Sequence, residues 1–163
     1  AQENELAHGD GGEDEKIKEH VQWIKRNTFI TLDQATENVR KLLHSDGDVG
    51  MSKFTVNMKC PISLGRITIP GKGLHCEHLE CFDMDSFLRM NYTGLQLSNK
   101  DWRCPVCDKI LRLTDLTFDH FFASILQGVD PKDDQVEVTP DGKWAAIRRS
   151  VVDKGEEIIS DGK

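Results

Sequence analysis

The chain has 163 residues, a net charge of −7, and 37% hydrophobic against 30% charged residues, a composition typical of one small domain with polar appendages. No run approaches the roughly 18 consecutive apolar residues that indicate a membrane span, and no basic segment is concentrated enough to favour direct nucleic-acid binding. The five cysteines are odd in number and clustered centrally, which argues against a secreted disulfide framework and favours a reducing, intracellular compartment.

The N-terminal third divides into a tail and a helical segment. Residues 1–15 are acidic, Gly-rich and without periodicity, so they are expected to form a disordered acidic tail. Apolar residues then recur at helical spacing from Ile17 to Ile24 and predict a short amphipathic helix. Thr31-Leu-Asp-Gln34 has the pattern of a capping box and opens a second helix. Residues 16–50 are therefore expected to form a helical linker.

The central part changes from helical to twofold periodicity. Alternating apolar residues predict a strand over Phe54–Met58. Arg66–Ile69 predicts a second short strand, which Pro70–Gly73 is expected to end. Asp83 is a candidate N-cap for a helix over about 84–91.

The C-terminal part predicts a helix followed by a hairpin. The aromatic run Phe118–Leu126 is typical of a helix packed on a core. Gln135–Val138 and Lys143–Ile147 flank a Pro-Asp-Gly turn, which predicts two paired strands. The units expected after the linker are a domain over residues 51–112, a helix-and-hairpin domain over 113–148, and a flexible tail over 149–163.

Two short motifs in the centre have the spacing of metal ligands. Cys76 and His78 lie two residues apart, and Cys104 and Cys107 form a Cys-x-x-Cys pair. A tetrahedral zinc site needs four such thiolate or imidazole ligands, so these four residues complete one site. Four protein ligands leave no position for a reactive water, and the predicted ion is therefore structural.

A second set of residues has the spacing of another zinc site but only half of its ligands. A two-zinc cross-brace would place cysteines at the positions of Ser63 and Met84, beside Cys60 and Cys81. A hydroxyl and a thioether are not usual zinc ligands. The prediction is therefore one zinc ion, with Cys60 and Cys81 as buried, unreactive thiols that face each other in a vestigial second site.

These motifs together resemble the SP-RING (MIZ-type) zinc finger of the Siz/PIAS family of SUMO ligases. The resemblance extends from Cys60-Pro-Ile-Ser63 through Trp102-x-Cys104-Pro-Val-Cys107 to Asp141-Gly-Lys-Trp144, and it covers roughly residues 52–147. It implies an α+β fold in which a small RING-like domain, with short strands, one central helix and one zinc, precedes a small helix-plus-hairpin domain.

The resemblance also implies a function. A ligase of this family binds a SUMO-conjugating enzyme charged with SUMO and promotes transfer to substrate lysines by positioning, without a covalent ligase intermediate. By analogy, Ile62, Pro105 and Met90 are the expected docking residues, while Trp102 could join them or lie in the core. The family further implies a nuclear location. A RING-type ubiquitin ligase and a non-catalytic zinc adaptor in transcription or chromatin are the alternatives.

Overall fold

Helices and short strands alternate along the residues that the computed structural model describes, 2–44, 53–92 and 102–147. The helices are α1 (Gln2–Asn27), α2 (Leu32–His44), α3 (Met84–Tyr92) and α4 (His120–Gly128), with a 3-10 turn at Leu113–Asp115. The strands are β1 (Phe29–Ile30), β2 (Phe54–Asn57), β3 (Pro70–Gly73), β4 (Phe82–Asp83), β5 (Leu116–Asp119), β6 (Gln135–Val138) and β7 (Trp144–Ala146). The tail predicted over 149–163 lies outside the described residues. No helix in the described ranges has the length and apolar character needed to cross a bilayer.

The strands form two small sheets. One has the order β1-β5-β3-β4, in which β1 runs parallel to β5 and the other pairs are antiparallel; the second is antiparallel with the order β2-β6-β7. Each sheet combines strands from the predicted 51–112 domain with strands from the predicted 113–148 domain. Their buried side chains belong to one hydrophobic cluster. The predicted division between these two domains is therefore not reflected in the packing.

The two N-terminal helices pack on the same core. Both buried faces follow the predicted periodicity; their buried residues are Ile17, Val21, Ile24, Ala35, Val39 and Leu43. The capping box is confirmed, because the Gln34 amide donates to the Thr31 hydroxyl at 3.1 Å while the Thr31 amide donates to the Gln34 side chain at 2.9 Å. Between the helices, β1 pairs with β5. The described part of the expected linker is thus integrated into the fold.

The expectation of a disordered tail over 1–15 is wrong, since α1 begins at Gln2. The sequence pattern reveals only the buried face from Ile17 onward, but polar contacts stabilise the preceding turn. Asp14 lies 3.4 Å from Lys18 one turn along the helix, and it also pairs with Arg89 of α3. These contacts with a neighbouring helix could not be read from the local composition.

The second predicted strand is misplaced. Arg66 makes only an isolated bridge with Lys59, while the ladder forms at Pro70–Gly73, where an end to the strand was expected. The glycines are needed there for close packing: a Cβ on Gly71 would lie 3.1 Å from the end of the Met84 side chain. Proline is tolerated at the first residue of a strand. The turn-like composition therefore marks a crowded strand.

The predicted helix over Phe118–Leu126 is divided in the structure. Its first residues belong to β5, and α4 begins at His120. Asp119 separates the two elements, because its carboxylate accepts a hydrogen bond from the Phe122 amide at 2.9 Å and caps the helix.

Three other predicted elements are confirmed. The strand from Phe54 pairs with β6, and the predicted hairpin forms between β6 and β7. Gly142 occupies its turn with a φ of +84°, a backbone conformation that favours glycine. The central helix begins after Asp83, whose carboxylate accepts from the Ser86 amide at 3.1 Å.

Candidate metal centre

Residues 60–65 form a tight loop that we call the first knuckle. The Cys60 amide donates to the Gly65 carbonyl and the Leu64 amide donates to the Cys60 carbonyl, both at 2.8 Å. The Ile62 amide points to the Cys60 sulfur at 3.3 Å. Leu64 closes the loop with a φ of +65°.

Residues 104–109, the second knuckle, repeat this arrangement. The Cys104 amide donates to the Lys109 carbonyl and the Asp108 amide to the Cys104 carbonyl, both at 2.9 Å. The Val106 amide points to the Cys104 sulfur at 3.4 Å, and Asp108 has a φ of +66°. Both knuckles therefore have the backbone that surrounds a thiolate with amide groups, although only the second carries two cysteines.

The four predicted zinc ligands converge beside the second knuckle. The ligand atoms of Cys76, His78, Cys104 and Cys107 all lie within 4.8 Å of one another. The Cys76 and Cys107 sulfurs are 3.7 Å apart, and the His78 Nε2 lies 3.4 Å from the Cys104 sulfur. Ligands about 2.0–2.3 Å from a tetrahedral ion are separated by roughly these distances. The geometry fits one zinc ion.

The chemistry of the donor set also fits a divalent cation. A hydrogen bond from the Cys76 thiol is the largest influence that lowers the pKa of Cys104 to about 3, although burial opposes this. The same contact with Cys104, together with burial, raises the pKa of Cys76. The pKa values of Cys76 and Cys104 thus shift in opposite directions, as expected when one thiol donates a hydrogen bond to the other. A zinc ion supplies the positive charge that allows every thiol to bind as thiolate.

The surroundings of His78 orient it for metal binding. Its Nδ1 lies 2.8 Å from the Glu80 carbonyl, and because a carbonyl only accepts, Nδ1 carries the proton and Nε2 faces the cluster with its lone pair. Lys72 holds the backbone of His78 in place, because its Nζ donates to the His78 carbonyl at 2.9 Å. Gly73 allows β3 to pass close to the metal ligand Cys76, because a Cβ on Gly73 would lie 3.0 Å from the Cys76 sulfur.

A buried ion pair beneath the metal loop was missed by the sequence analysis. Lys72 Nζ lies 3.1 Å from the Asp119 carboxylate, with both side chains almost fully buried. Burial opposes the charge on the lysine, but the charge and hydrogen bond of the Asp119 carboxylate favour it, and the pKa of Lys72 is raised. The sequence pattern places Asp119 within the predicted helix Phe118–Leu126 and does not indicate an ion pair. Lys72 lies between two glycines, in the segment that is expected to end the preceding strand.

The incomplete second site is occupied by hydrogen bonds around Asp83. The Asp83 amide donates to the Cys60 sulfur at 3.2 Å, and its carboxylate accepts from the amides of Thr68 and Ile69, each at 3.0 Å. Burial raises the pKa of Asp83, but these hydrogen bonds outweigh burial and hold the pKa below its usual value. Asp83 thus connects the first knuckle, the segment at Thr68 and Ile69, and α3. In a cross-brace, a second zinc ion would make this connection.

The other residues of this site have separate surroundings. Cys81 is buried, and its sulfur lies 3.9 Å from the Asp119 carboxylate. The Cys60 sulfur contacts the amides described above, and the expectation that the two thiols face each other stays a prediction. Met84 is fully buried in the core. Ser63 is exposed and accepts a hydrogen bond from the Gly65 amide at 3.2 Å.

A cavity of about 570 Å³, which we call the knuckle groove, lies between the two knuckles. Its apolar wall is formed by Pro61, Leu64, Pro105 and Val106, with Lys59 and Glu80 among the polar lining residues. Of these apolar residues, Leu64 has 73% and Val106 has 37% of its surface exposed. The groove is therefore an apolar surface supported on one side by the metal centre.

The predicted docking residues are distributed unevenly around this groove. Pro105 lines it and is exposed. Ile62 is half-buried and packs against the core, while Met90 is 48% exposed on α3. Neither of these two belongs to the residues that line the groove. Trp102 is 7% exposed, so it lies in the core.

Comparison with known proteins identifies the same region. The family model described as "MIZ/SP-RING zinc finger" matches residues 56–110. The chain is 36% identical over 135 residues to the E3 SUMO-protein ligase SIZ1 of Saccharomyces cerevisiae and 33% identical over 128 residues to the E3 SUMO-protein ligase pli1 of Schizosaccharomyces pombe. It is also 32% identical over 125 residues to the human Zinc finger MIZ domain-containing protein 1.

The matched region is most of this chain but a small part of those relatives. The alignments cover 82%, 78% and 76% of this chain, against 14%, 17% and 11% of the respective relatives. The crystal structure of the Saccharomyces cerevisiae SUMO E3 ligase SIZ2 superposes with a TM-score of 0.70 at 25% identity, over 80% of this chain and 46% of that chain. The zinc finger and its surrounding fold are therefore shared.

Proposed function

Since this chain carries an SP-RING zinc finger of the Siz/PIAS SUMO ligases, we propose that it is the core of a SUMO ligase. It binds a SUMO-conjugating enzyme charged with SUMO and promotes transfer of SUMO to lysines of protein substrates. The observation that carries the proposal is the knuckle groove, an exposed apolar surface beside the metal centre of a chain whose relatives include proteins named as SUMO ligases.

The groove is suited to docking because its walls are ordered before binding. Each knuckle is closed by backbone hydrogen bonds, and the second is also held by the metal ligands Cys104 and Cys107. Pro61 and Pro105 present rigid side chains on these loops. A preformed apolar surface loses little conformational entropy when a partner binds.

The state of the five cysteines supports transfer by positioning. Cys76, Cys104 and Cys107 belong to the metal cluster, and Cys60 is 1% exposed. Burial and the nearby Asp119 carboxylate raise the pKa of Cys81 well above its usual value. A buried, protonated thiol is a poor nucleophile. The ligase would therefore act by restricting the charged enzyme to a reactive geometry, a proximity effect.

A single-turnover discharge assay tests the proposal. The zinc-loaded chain is added to a conjugating enzyme charged with SUMO, and the release of SUMO to free lysine is followed. We expect faster discharge, and we expect chelation of zinc to abolish the effect because metal binding also stabilises the fold. Discharge at the basal rate with the folded, zinc-loaded chain would refute the proposal.

Parallel reactions separate the alternatives. Acceleration only with charged ubiquitin-conjugating enzymes would assign the chain to the ubiquitin pathway. Binding of the SUMO-conjugating enzyme without acceleration would favour a non-catalytic adaptor.

We also propose a nuclear location from the family, and a fluorescent fusion that is excluded from nuclei would contradict it.

Substitutions locate the docking surface. Pro105→Ala removes a groove contact and should slow discharge while leaving zinc content and the melting temperature unchanged. Ile62→Ala should also slow discharge if the half-buried Ile62 side chain reaches the enzyme, but it should destabilise the fold if the residue acts only in the core. Met90→Ala tests whether the surface extends to α3, since the exposed Met90 lies on that helix.

A further inference from the structure

One face of α1 is exposed to solvent and carries a tryptophan. Trp23 is 51% exposed, whereas Trp102 is 7% exposed and lies in the core. Gly12, Lys16, Glu19 and Trp23 follow one another at intervals of four, three and four residues, so they line one face of the helix. All four are exposed, and we call this surface the open face. A large aromatic side chain in contact with water gains free energy when another surface covers it.

A preformed pocket adjoins the open face. A cavity of about 480 Å³ lies between α1 and the turn before β5, and its apolar lining residues are Trp23, Ile24 and Leu113. His20 also lines it, and Tyr92 holds His20 in place: the Tyr92 hydroxyl lies 2.6 Å from the His20 Nδ1, and the two rings stack at 5.7 Å. Because this surface is ordered before a partner binds, its entropic cost of binding is low.

The open face carries two opposite charges one helical turn apart. Lys16 and Glu19 are both exposed, and neither forms an ion pair with another residue in the described part of the chain. In contrast, Asp14 of the same helix pairs with both Lys18 and Arg89. A surface with one cation beside one anion is complementary to itself when a two-fold axis passes between the two charges.

We infer that the open face of α1 binds the open face of a second copy of this chain, with the two helices antiparallel. A two-fold axis midway between residues 16 and 19 places Lys16 of each copy opposite Glu19 of the other. The same axis places Trp23 of each copy opposite Gly12 of the other, because both pairs are centred on the same point of the helix. The dimer would thus combine two ion pairs with two covered indole rings.

Gly12 supports this register. Glycine is less favourable than alanine inside a helix, so its presence in α1 calls for a packing reason. A Cβ on Gly12 would meet nothing within 4 Å in its own chain, and packing within the chain therefore gives no such reason. A bare backbone opposite Trp23 lets the indole ring of the second copy approach the helix closely.

The expected dimer is weak because its interface is small. From Gly12 to Trp23 the helix extends about 17 Å, and the contact falls below the roughly 1,200 Å² that stable complexes bury. We therefore expect a dissociation constant of about 10–100 µM. Sedimentation equilibrium of the zinc-loaded chain, from about 5 to 500 µM, covers this range.

Charge reversal tests the pairing. Lys16→Glu places like charges opposite each other at two symmetric contacts, so it should weaken the dimer about tenfold, and Glu19→Lys should do the same. The double variant Lys16→Glu/Glu19→Lys exchanges the charges and should restore the dissociation constant to within about threefold. An equimolar mixture of the two single variants should form a heterodimer of similar affinity.

Two further variants test the packing. Trp23→Gln removes the indole ring and should weaken the dimer about tenfold or more. Gly12→Ala should also weaken it, because the added methyl group separates the indole ring from the backbone. The melting temperature of Gly12→Ala at about 5 µM should not fall, since the Cβ has open space in the monomer and alanine favours the helix; a fall would overturn the register.

Lys132→Glu is the matched control. It makes the same change in net charge at an exposed residue outside α1, so the dissociation constant should not change. A chain that stays monomeric to about 500 µM would overturn the inference, and another protein would then be the partner of the open face. Single charge reversals without effect would assign the dimer to another surface, and a double variant as weak as the single ones would refute the antiparallel pairing.

Zinc content and melting temperature of each α1 variant are measured at low concentration. Because each variant changes an exposed residue, both should match those of the unmodified chain or, for Gly12→Ala, the melting temperature may only rise. A loss of zinc or of stability would contradict the placement of that residue on the open face.

Discussion

Replacement of Lys72 by methionine should destabilise the protein strongly, although Lys72 touches neither the groove nor the metal. Its ammonium group lies 3.1 Å from the Asp119 carboxylate, and both side chains are more than nine-tenths buried. Lys72→Met leaves a buried carboxylate without its cation. Removal of one member of a buried ion pair typically costs about 3–5 kcal/mol, so the free energy of unfolding should fall by about this amount.

A second substitution should recover part of that loss. Asp119→Asn removes the buried negative charge but keeps an oxygen that can accept from the Phe122 amide, as the carboxylate does at 2.9 Å. The single variant Lys72→Met and the double variant both lose the hydrogen bonds from Lys72 to the carbonyls of His78 and Leu79. Only the bond to the Leu79 carbonyl is fully buried, and because an unsatisfied buried acceptor costs about 1–3 kcal/mol, the double variant should be destabilised by about this amount.

Urea unfolding in excess zinc, with the four proteins of the double-mutant cycle, measures these differences. Excess zinc keeps the contribution of metal binding equal among the variants as long as each retains its site. Both single variants should be less stable than the double variant. If Lys72→Met costs less than about 1 kcal/mol, or if the two losses add without recovery, the ion pair does not have the role assigned to it here.

Three further perturbations follow from the metal centre and the second site. Native mass spectrometry should find one zinc per chain, and His78→Ala should reduce this stoichiometry because it removes one of four ligands; two ions per chain would contradict the assignment. Gly73→Ala should weaken zinc binding in a competition assay with a chromophoric chelator, since its Cβ would lie 3.0 Å from the Cys76 sulfur; unchanged affinity would show that β3 can move aside. Asp83→Asn should cost about 1–3 kcal/mol at neutral pH because the carboxylate accepts several hydrogen bonds. Since the pKa of Asp83 is lowered in the folded state, its stabilisation is complete above the unfolded pKa of about 3.9 and is lost as pH falls below that value. The difference in unfolding free energy between the two proteins should therefore shrink below about pH 4, and a difference that grows there would refute the assignment.

Local patterns predicted those elements whose stabilising contacts are close in sequence. The capping box at Thr31, the Asp83 cap and the turn at Gly142 formed as expected, because each is completed by residues within a few positions. The ligand set converged as the paired spacings indicated. In contrast, the prediction that Pro70–Gly73 ends a strand is wrong, since this segment forms β3. Its glycines reflect contacts with Met84 and Cys76, which reach β3 only through the fold.

The exposed surface was also beyond sequence reasoning. The family resemblance predicts Ile62 as a docking residue, and how far its side chain faces solvent depends on the path of the loop. The structure places Leu64 outward at 73% exposure and leaves Ile62 half-buried. The backbone of the first knuckle, with its positive φ at Leu64, decided this orientation.

The order of residues alone determined that this protein has one complete zinc site and half of a second, because ligand type and spacing are chemical properties of the chain. Only the folded structure decided what replaced the missing ion. Asp83 from the end of β4 meets Cys60, and Asp119 from β5 meets Lys72 from β3. These partners lie 23 and 47 positions apart. Such pairs form only when the packing of the whole core brings distant strands together, which no local pattern encodes.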